Sequence, residues 1–335
     1  MRLNKTCIIL IVLSLSFLFV SCSQQNESIQ LPDQQSTILD PNSAEGEKPS
    51  DVKKIRMGVS LLSFDNEFIL GIKDAMEAQA EQLGVEIIID DGQNSAEKQV
   101  SQVENYIAKK VDVIILNPAS YLGCEAAVEA ANGAGIPIMT VNTLVVNQDK
   151  CITFVGSDAI ESGRLEMEYA ARMLNGKGNI VILHGQNGHD AEIGRRKGAQ
   201  EVLDAFPQIK VLYEQSGNWA RAEGEAIIEN LLQLNKPIDA IVSQNDEMAL
   251  GAIKALENAR KLDRVLVFGI DAISEALQAV KSGKMKGTVF QDAKSQGTDA
   301  IDVAYKIARK EKVEKTIYIP YVLLTNENLD KYLNY

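Results

Sequence analysis

From residue 54 onward, short apolar runs alternate with longer stretches whose apolar positions recur at helical spacing. Runs of strand length stand at Ile55–Leu61, Val85–Ile89, Val111–Leu116, Ile136–Val141, Ile152–Val155, Ile180–Leu183, Lys210–Tyr213, Ala240–Val242, Val265–Phe268 and Gly287–Phe290. Between them, sets such as Ile69, Ile72, Met76 and Ala80, or Val100, Val103 and Ile107, place apolar side chains on one helix face. Continuous apolar strands alternating with amphipathic helices imply an α/β fold with parallel sheets covered on both faces. Roughly ten such units in about 270 residues fit two doubly wound sheets better than one closed barrel, although the pattern alone leaves a (β/α)₈ barrel open.

The chain before residue 54 follows a different pattern. Arg2 and Lys5 precede a nearly uninterrupted apolar run, Ile8 to Val20. That run is shorter than the roughly 20 residues a membrane span needs, and it reads as the core of a secretory signal over residues 1–21. Leu18-Phe19-Val20-Ser21-Cys22 resembles a bacterial lipobox, with Phe19 where Leu is usual, so Cys22 is expected to be the lipidated N-terminus. Residues 22–53 carry Gln, Ser, Asn, Asp, Glu and Pro and no aromatic residue. Such a segment buries too little apolar surface to fold and is expected to act as a tether, spanning roughly 30 Å as a random coil. The expected location is extracytoplasmic, held to the cell membrane by lipid.

Removing 21 signal residues from 335 leaves 314, more than one core usually fills, so two lobes are expected. The formal charge of −12 becomes −14 once Arg2 and Lys5 are lost with the signal. So acidic a body argues against nucleic acid as a partner. Cys124 and Cys151 remain in the folded part and are expected to be separate buried thiols, though spacing alone leaves a disulfide open.

In doubly wound sheets, ligands sit beyond the carboxyl ends of the strands. Here those ends are rich in groups that hold hydroxyls. Phe64-Asp65-Asn66-Glu67-Phe68 follows the first run, Asn117-Pro118 the third, Asn142-Thr143 the fourth and Ser157-Asp158 the fifth. In the second half come His184-Gly185, leading to His189 and Arg195, then Gly217-Asn218-Trp219, Gln244-Asn245-Asp246, Asp271-Ala272 and Gln291-Asp292. Amides, carboxylates and an arginine both donate to and accept from a ring of hydroxyls, while Phe68 and Trp219 offer faces for its apolar sides. His184 ends an apolar strand and reads as a core group. An enzyme is not expected. No Gly-x-Ser-x-Gly elbow or Walker A sequence is present, Gly176-x-Gly178 precedes a strand rather than opening a helix, and His184 and His189 make no metal-ligand set. No catalytic residue, cofactor or metal is assigned.

From Lys54 to about Leu333 the chain resembles the periplasmic sugar-binding proteins of the ribose, galactose and inositol group. Gln244-Asn245-Asp246-Glu247-Met248-Ala249-Leu250-Gly251-Ala252 and Phe268-Gly269-Ile270-Asp271-Ala272 carry the likeness, with Ile136-Pro137 before Asn142 and Lys73-Asp74. The resemblance implies two Rossmann-like lobes joined by three crossings, residues 54–157 plus 292–320 and residues 158–291 plus 321–335. Lac-repressor-type regulators share that fold behind a DNA-binding helix-turn-helix, where this chain has a lipoprotein signal. The resemblance further implies ligand contacts from Asn66, Phe68, Asn117, Asn142, Ser157, Arg195, Trp219, Asn245, Asp271 and Gln291. His189 aligns with a histidine of galactose-binding members.

Thr143 and Ile270 depart from the ribose type, which has Arg and Phe there. The galactose type carries a calcium loop where this chain has only Asn175-Gly176-Lys177-Gly178-Asn179, without an acid, so no metal is expected. Gly217-Asn218-Trp219, Thr288-Val289-Phe290-Gln291-Asp292-Ala293 and Tyr318-Ile319-Pro320-Tyr321 are similar to inositol-binding members. The implied role is ligand capture for an ABC permease and its ATPase by a monomer, with myo-inositol ahead of galactose, glucose or ribose. A receptor feeding a chemoreceptor or sensor kinase stays open as an alternative.

Overall fold

The computed structural model describes residues 54–333; the signal, Cys22 and the tether lie outside them. All ten apolar runs overlap strands: β1 (Arg56–Leu61), β2 (Glu86–Asp91), β3 (Val113–Leu116), β4 (Ile138–Asn142), β5 (Phe154–Gly156), β6 (Lys177–His184), β7 (Gln208–Ser216), β8 (Ala240–Ser243), β9 (Leu266–Asp271) and β10 (Gly287–Phe290). Two three-residue strands, β11 (Thr316–Tyr318) and β12 (Val322–Leu324), were not expected; each is too short to show a pattern. Nine described helices separate them: α1 (Glu67–Leu83), α2 (Ala96–Ala108), α3 (Glu125–Gly133), α4 (Ala159–Met173), α5 (Asp190–Ala205), α6 (Arg221–Gln233), α7 (Asp246–Asn258), α8 (Ser274–Lys281) and α9 (Ala293–Ala308).

The strands form two six-stranded sheets rather than a barrel. Their orders are β11-β5-β4-β3-β1-β2 and β12-β10-β9-β8-β6-β7. Every pairing is parallel except β10 with β12. The chain passes from one sheet to the other three times, between β5 and α4, between β10 and α9, and between β11 and β12. The interior strands are mostly apolar because helices cover both faces; β3 and β8 are fully buried.

Side-chain caps mark where several of the helices begin. Asn66 caps α1, its Oδ1 accepting from the N–H groups of Phe68 at 2.9 Å and Ile69 at 3.3 Å. Gly84 closes that helix in the left-handed conformation at φ 67°. Ile69, Ile72, Met76 and Ala80, the expected stripe, are all buried. Cys124 and Cys151 are both free and buried.

Helices α4 and α5 cross at glycines. A Cβ on Gly163 would lie 2.1 Å from the Arg195 carbonyl oxygen, and one on Gly198 would lie 2.0 Å from that of Ile160. Backbone is what blocks the added carbon, so the helices themselves must part. Gly163→Ala is therefore expected to destabilise the protein by about 1–3 kcal/mol, the range for an overpacked core. Urea unfolding checks this, and an unchanged midpoint would mean the helices separate freely.

Candidate ligand-binding site

The carboxyl ends of both sheets face one small, closed-down cavity of about 30 Å³. Leu62, Asn66, Phe68, Ile69 and Asn142 line it from the first sheet's side, with His189, Ala191, Arg195, Trp219, Asn245, Asp271 and Gln291 from the second's. Nine of the eleven residues implied by the resemblance are thus brought together. The other two stand behind the wall.

Asn117 is fully buried; its Oδ1 accepts from the Leu62 N–H at 3.2 Å and its Nδ2 donates to Thr143 Oγ1 at 3.0 Å. It ties the loops after β1 and β4 together and does not line the cavity. Ser157 Oγ accepts from Gln296 Nε2 at 3.4 Å at the first crossing, also outside the lining. His184 lies outside it too, buried with Nε2 3.0 Å from Glu214 and 3.1 Å from Arg196. Leu62, Ile69 and Ala191 were not anticipated as lining; nothing separates them in sequence from ordinary core positions.

Several lining residues hold unusual backbone. Asn142 (φ 66°), Trp219 (φ 66°) and Asp271 (φ 125°), with neighbouring Ala272 (φ 61°), all have positive φ without being glycine. Such conformations cost on the order of 1–3 kcal/mol each and persist where the surroundings fix them. Here the surroundings aim strand-end side chains into the cavity. Gly185 makes room for the indole, since a Cβ there would meet the Trp219 ring at 1.9 Å.

Arg195 is the electrostatic centre of the site. It is 4% exposed, and its Nη2 donates to Gln291 Oε1 at 2.8 Å and lies 3.5 Å from Asp271 Oδ1. Its Nη1 donates to the Gln244 carbonyl. The guanidinium also stands 5.6 Å from the Trp219 ring centre, and His189 meets the same ring edge-on at 5.3 Å. Tyr321 Oη donates to Gln291 Oε1 at 3.3 Å, fixing that amide from behind.

Three buried acids surround this one cation, two of which, Glu166 and Asp246, the sequence reading did not place in the site. Burial pushes Asp271 well above the ordinary carboxylate range; Arg195 opposes the shift, and Asp246 and Glu247 add to it. Burial likewise raises Glu166 well above its usual value. Asp246 is raised to about 7 by burial, against hydrogen bonds from Thr288 Oγ1 at 2.8 Å and the Ile273 N–H at 3.1 Å. Burial and then the Arg195 charge lower His189 to about 3, so its ring is neutral at pH 7. Its Nδ1 accepts from the Ala191 N–H at 3.3 Å, which puts the proton on Nε2.

Two buried N–H donors of the lining, Arg195 Nε and Trp219 Nε1, have no partner within the protein, and His189 Nε2 has only the Pro118 backbone beside it. The lining amides, by contrast, are largely engaged with their own backbone or neighbours: Asn245 Oδ1 accepts from the Met248 N–H at 3.0 Å and its Nδ2 donates to the Trp219 carbonyl at 3.1 Å. A site with free donors, one carboxyl and two aromatic residues suits a compact polyol.

The periplasmic binding protein domain family matches residues 57–312, and the chain belongs to that family. It is a family of substrate-binding proteins rather than enzymes, serving sugar-transporting ABC systems. A putative rhizopine-binding protein of Rhizobium meliloti is 38% identical over 82% of this chain and 92% of its own. The ribose import binding protein of Bacillus subtilis is 32% identical over 97% of this chain and 100% of its own. Among solved structures, an ABC transporter solute-binding protein from Bacillus halodurans with bound myo-inositol superposes with a TM-score of 0.82. It is 42% identical, over 85% of this chain and 99% of that one.

Proposed function

We propose that the chain captures a neutral polyhydroxylated six-membered ring, myo-inositol first and aldohexoses such as galactose second, and delivers it to a membrane permease. The observation that carries this reading is the convergence of Asn66, Phe68, Asn142, His189, Arg195, Trp219, Asn245, Asp271 and Gln291 on one cavity, two of whose buried donors lack internal partners. Buried donors left unpaired cost free energy, which ligand hydroxyl oxygens recover on binding. The bound myo-inositol of the 42%-identical structure supports the ring chosen. His189 in the lining supports galactose as the second choice. Lobe closure around the ligand is favoured by its contacts with both sides of the cavity. We place the protein as a monomer outside the cytoplasmic membrane, lipidated on Cys22, with the first lobe over residues 54–157 plus 292–320 and the second over 158–291 plus 321–335.

Calorimetry of the purified chain against a panel of cyclitols, aldohexoses, ribose, amino acids and phosphate esters tests the ligand. Saturable binding of myo-inositol ahead of galactose is expected. Tight binding of an amino acid or phosphate ester with no response to polyols would sink the reading. Mass spectrometry of the membrane-extracted protein tests Cys22, the expected result being a diacylglycerol mass on the new N-terminus.

A further inference from the structure

Helix α8 starts at Ser274 behind Ile273, a residue with no side-chain acceptor, and no side chain of its own segment caps it. The Ser274 N–H instead donates to Glu67 Oε1 at 3.0 Å. Glu67 is the first residue of α1, so the acceptor comes from the other side of the cleft. On the opposite flank the roles are exchanged. Asp190, the first residue of α5, accepts through Oδ2 from the Leu144 N–H at 3.0 Å, in the loop that follows β4. Beside it the Tyr121 N–H donates to the Gly188 carbonyl at 3.0 Å. Neither Glu67 nor Asp190 lines the ligand cavity.

We propose that Glu67 and Asp190 are reciprocal inter-lobe latches, each a helix-opening carboxylate that holds a backbone N–H of the opposite lobe and so sets the closed–open equilibrium. Opening of the cleft breaks both bonds and returns the exposed donors to water. A carboxylate at a helix N-terminus also meets the positive end of the helix dipole, which favours Glu67 against α8. Because the latches touch no ligand, they change the population of the closed state and leave the site's contacts alone. Apparent affinity then falls by one common factor for every ligand, since it scales with the fraction of competent molecules. The inference rests on the binding role proposed above.

The test uses full-length Glu67→Ala, Glu67→Gln and Asp190→Ala proteins titrated with myo-inositol, D-galactose and D-ribose. Release rates are followed by stopped flow, and amide hydrogen exchange at Ser274 and Leu144 is read with and without ligand. Loss of a cap-strength bond predicts about three- to tenfold weaker binding for Glu67→Ala. The factor should be the same for each ligand that binds, should appear as faster release, and should leave the melting temperature of the free protein unchanged. The Glu67→Gln variant keeps an acceptor without the charge and should fall between wild type and Glu67→Ala. Unchanged affinity, or factors that differ between ligands, would overturn the proposal. If wild type binds none of the three polyols, the ligand assignment fails, and amide exchange alone decides the latch. Because one opening breaks both bonds, Glu67→Ala must then speed exchange at Leu144 as well as at Ser274, and Asp190→Ala at Ser274 as well as at Leu144; exchange that is unaltered, or raised only at the substituted residue's own partner, rules the latches out.

Discussion

Asp271→Ala is expected to weaken polyol binding by about 10- to 100-fold while leaving the free protein as stable as wild type. Asp271 ends β9 with its side chain 5% exposed, and its Oδ1 lies 3.5 Å from Arg195 Nη2. A hydrogen bond between a ligand hydroxyl and a charged group contributes about 1.5–3 kcal/mol, and 1.4 kcal/mol is tenfold in affinity. Stability should behave differently, because this carboxyl is held above its ordinary range by burial and by its acidic neighbours. A carboxyl raised in the folded state binds more protons there than in the unfolded chain, so its contribution to stability falls as pH rises above the ordinary carboxylate range. Removing it relieves that cost at neutral pH. Arg195 keeps Gln291 and the Gln244 carbonyl as partners, and the Glu166 and Asp246 carboxyls as nearby acids. Calorimetry and thermal unfolding of the same preparation separate the two effects. Full affinity in the variant would remove Asp271 from the site; collapse of the free protein would make it a structural residue. Asp271→Asn, which keeps an acceptor and drops the charge, should lie between.

The sequence makes the architecture legible because both of its signals are long. Ten apolar runs and the stripes between them dictate parallel strands under helices, and α1 buries the Ile69, Ile72, Met76 and Ala80 face that its spacing predicts. Strands β11 and β12 escape because three residues carry no period. The site is legible to the extent that strand ends must face it. Asn66 shows why a helix cap and a cavity wall are not rival roles: its oxygen holds two N–H groups of α1 while the residue also lines the cavity. Asn117 shows the limit of the argument. An amide at a strand end that tethers neighbouring loops looks, in sequence, like one that faces a ligand. Glu166 is less legible still, since a buried acid inside α4 has the same local sequence as a solvated one. What marks it is the Arg195 charge on a different helix, which no spacing within α4 records.

Trp219→Ala should lower affinity by about 5- to 30-fold, taking a stacked face as worth about 1–2 kcal/mol. The ring is 8% exposed and lines the cavity, with Gly185 beneath it and His189 and Arg195 beside it. Two contributions are lost together: the apolar face offered to the ring of the ligand and the indole N–H, which has no partner inside the protein. Trp219→Phe keeps part of the face and loses the donor with the second ring, so its smaller loss sets an upper bound on the hydrogen bond. Truncation of a fully enclosed core aromatic costs about 3–5 kcal/mol of stability, and a ring that forms one wall of a cavity should cost clearly less. As the chain's single tryptophan, it also reports its own environment. Its emission in wild type should shift as ligand is added, and the midpoint should match calorimetry. An emission that ignores saturating polyol, together with unfolding of the free Trp219→Ala protein, would place the ring in the core and remove it from the site.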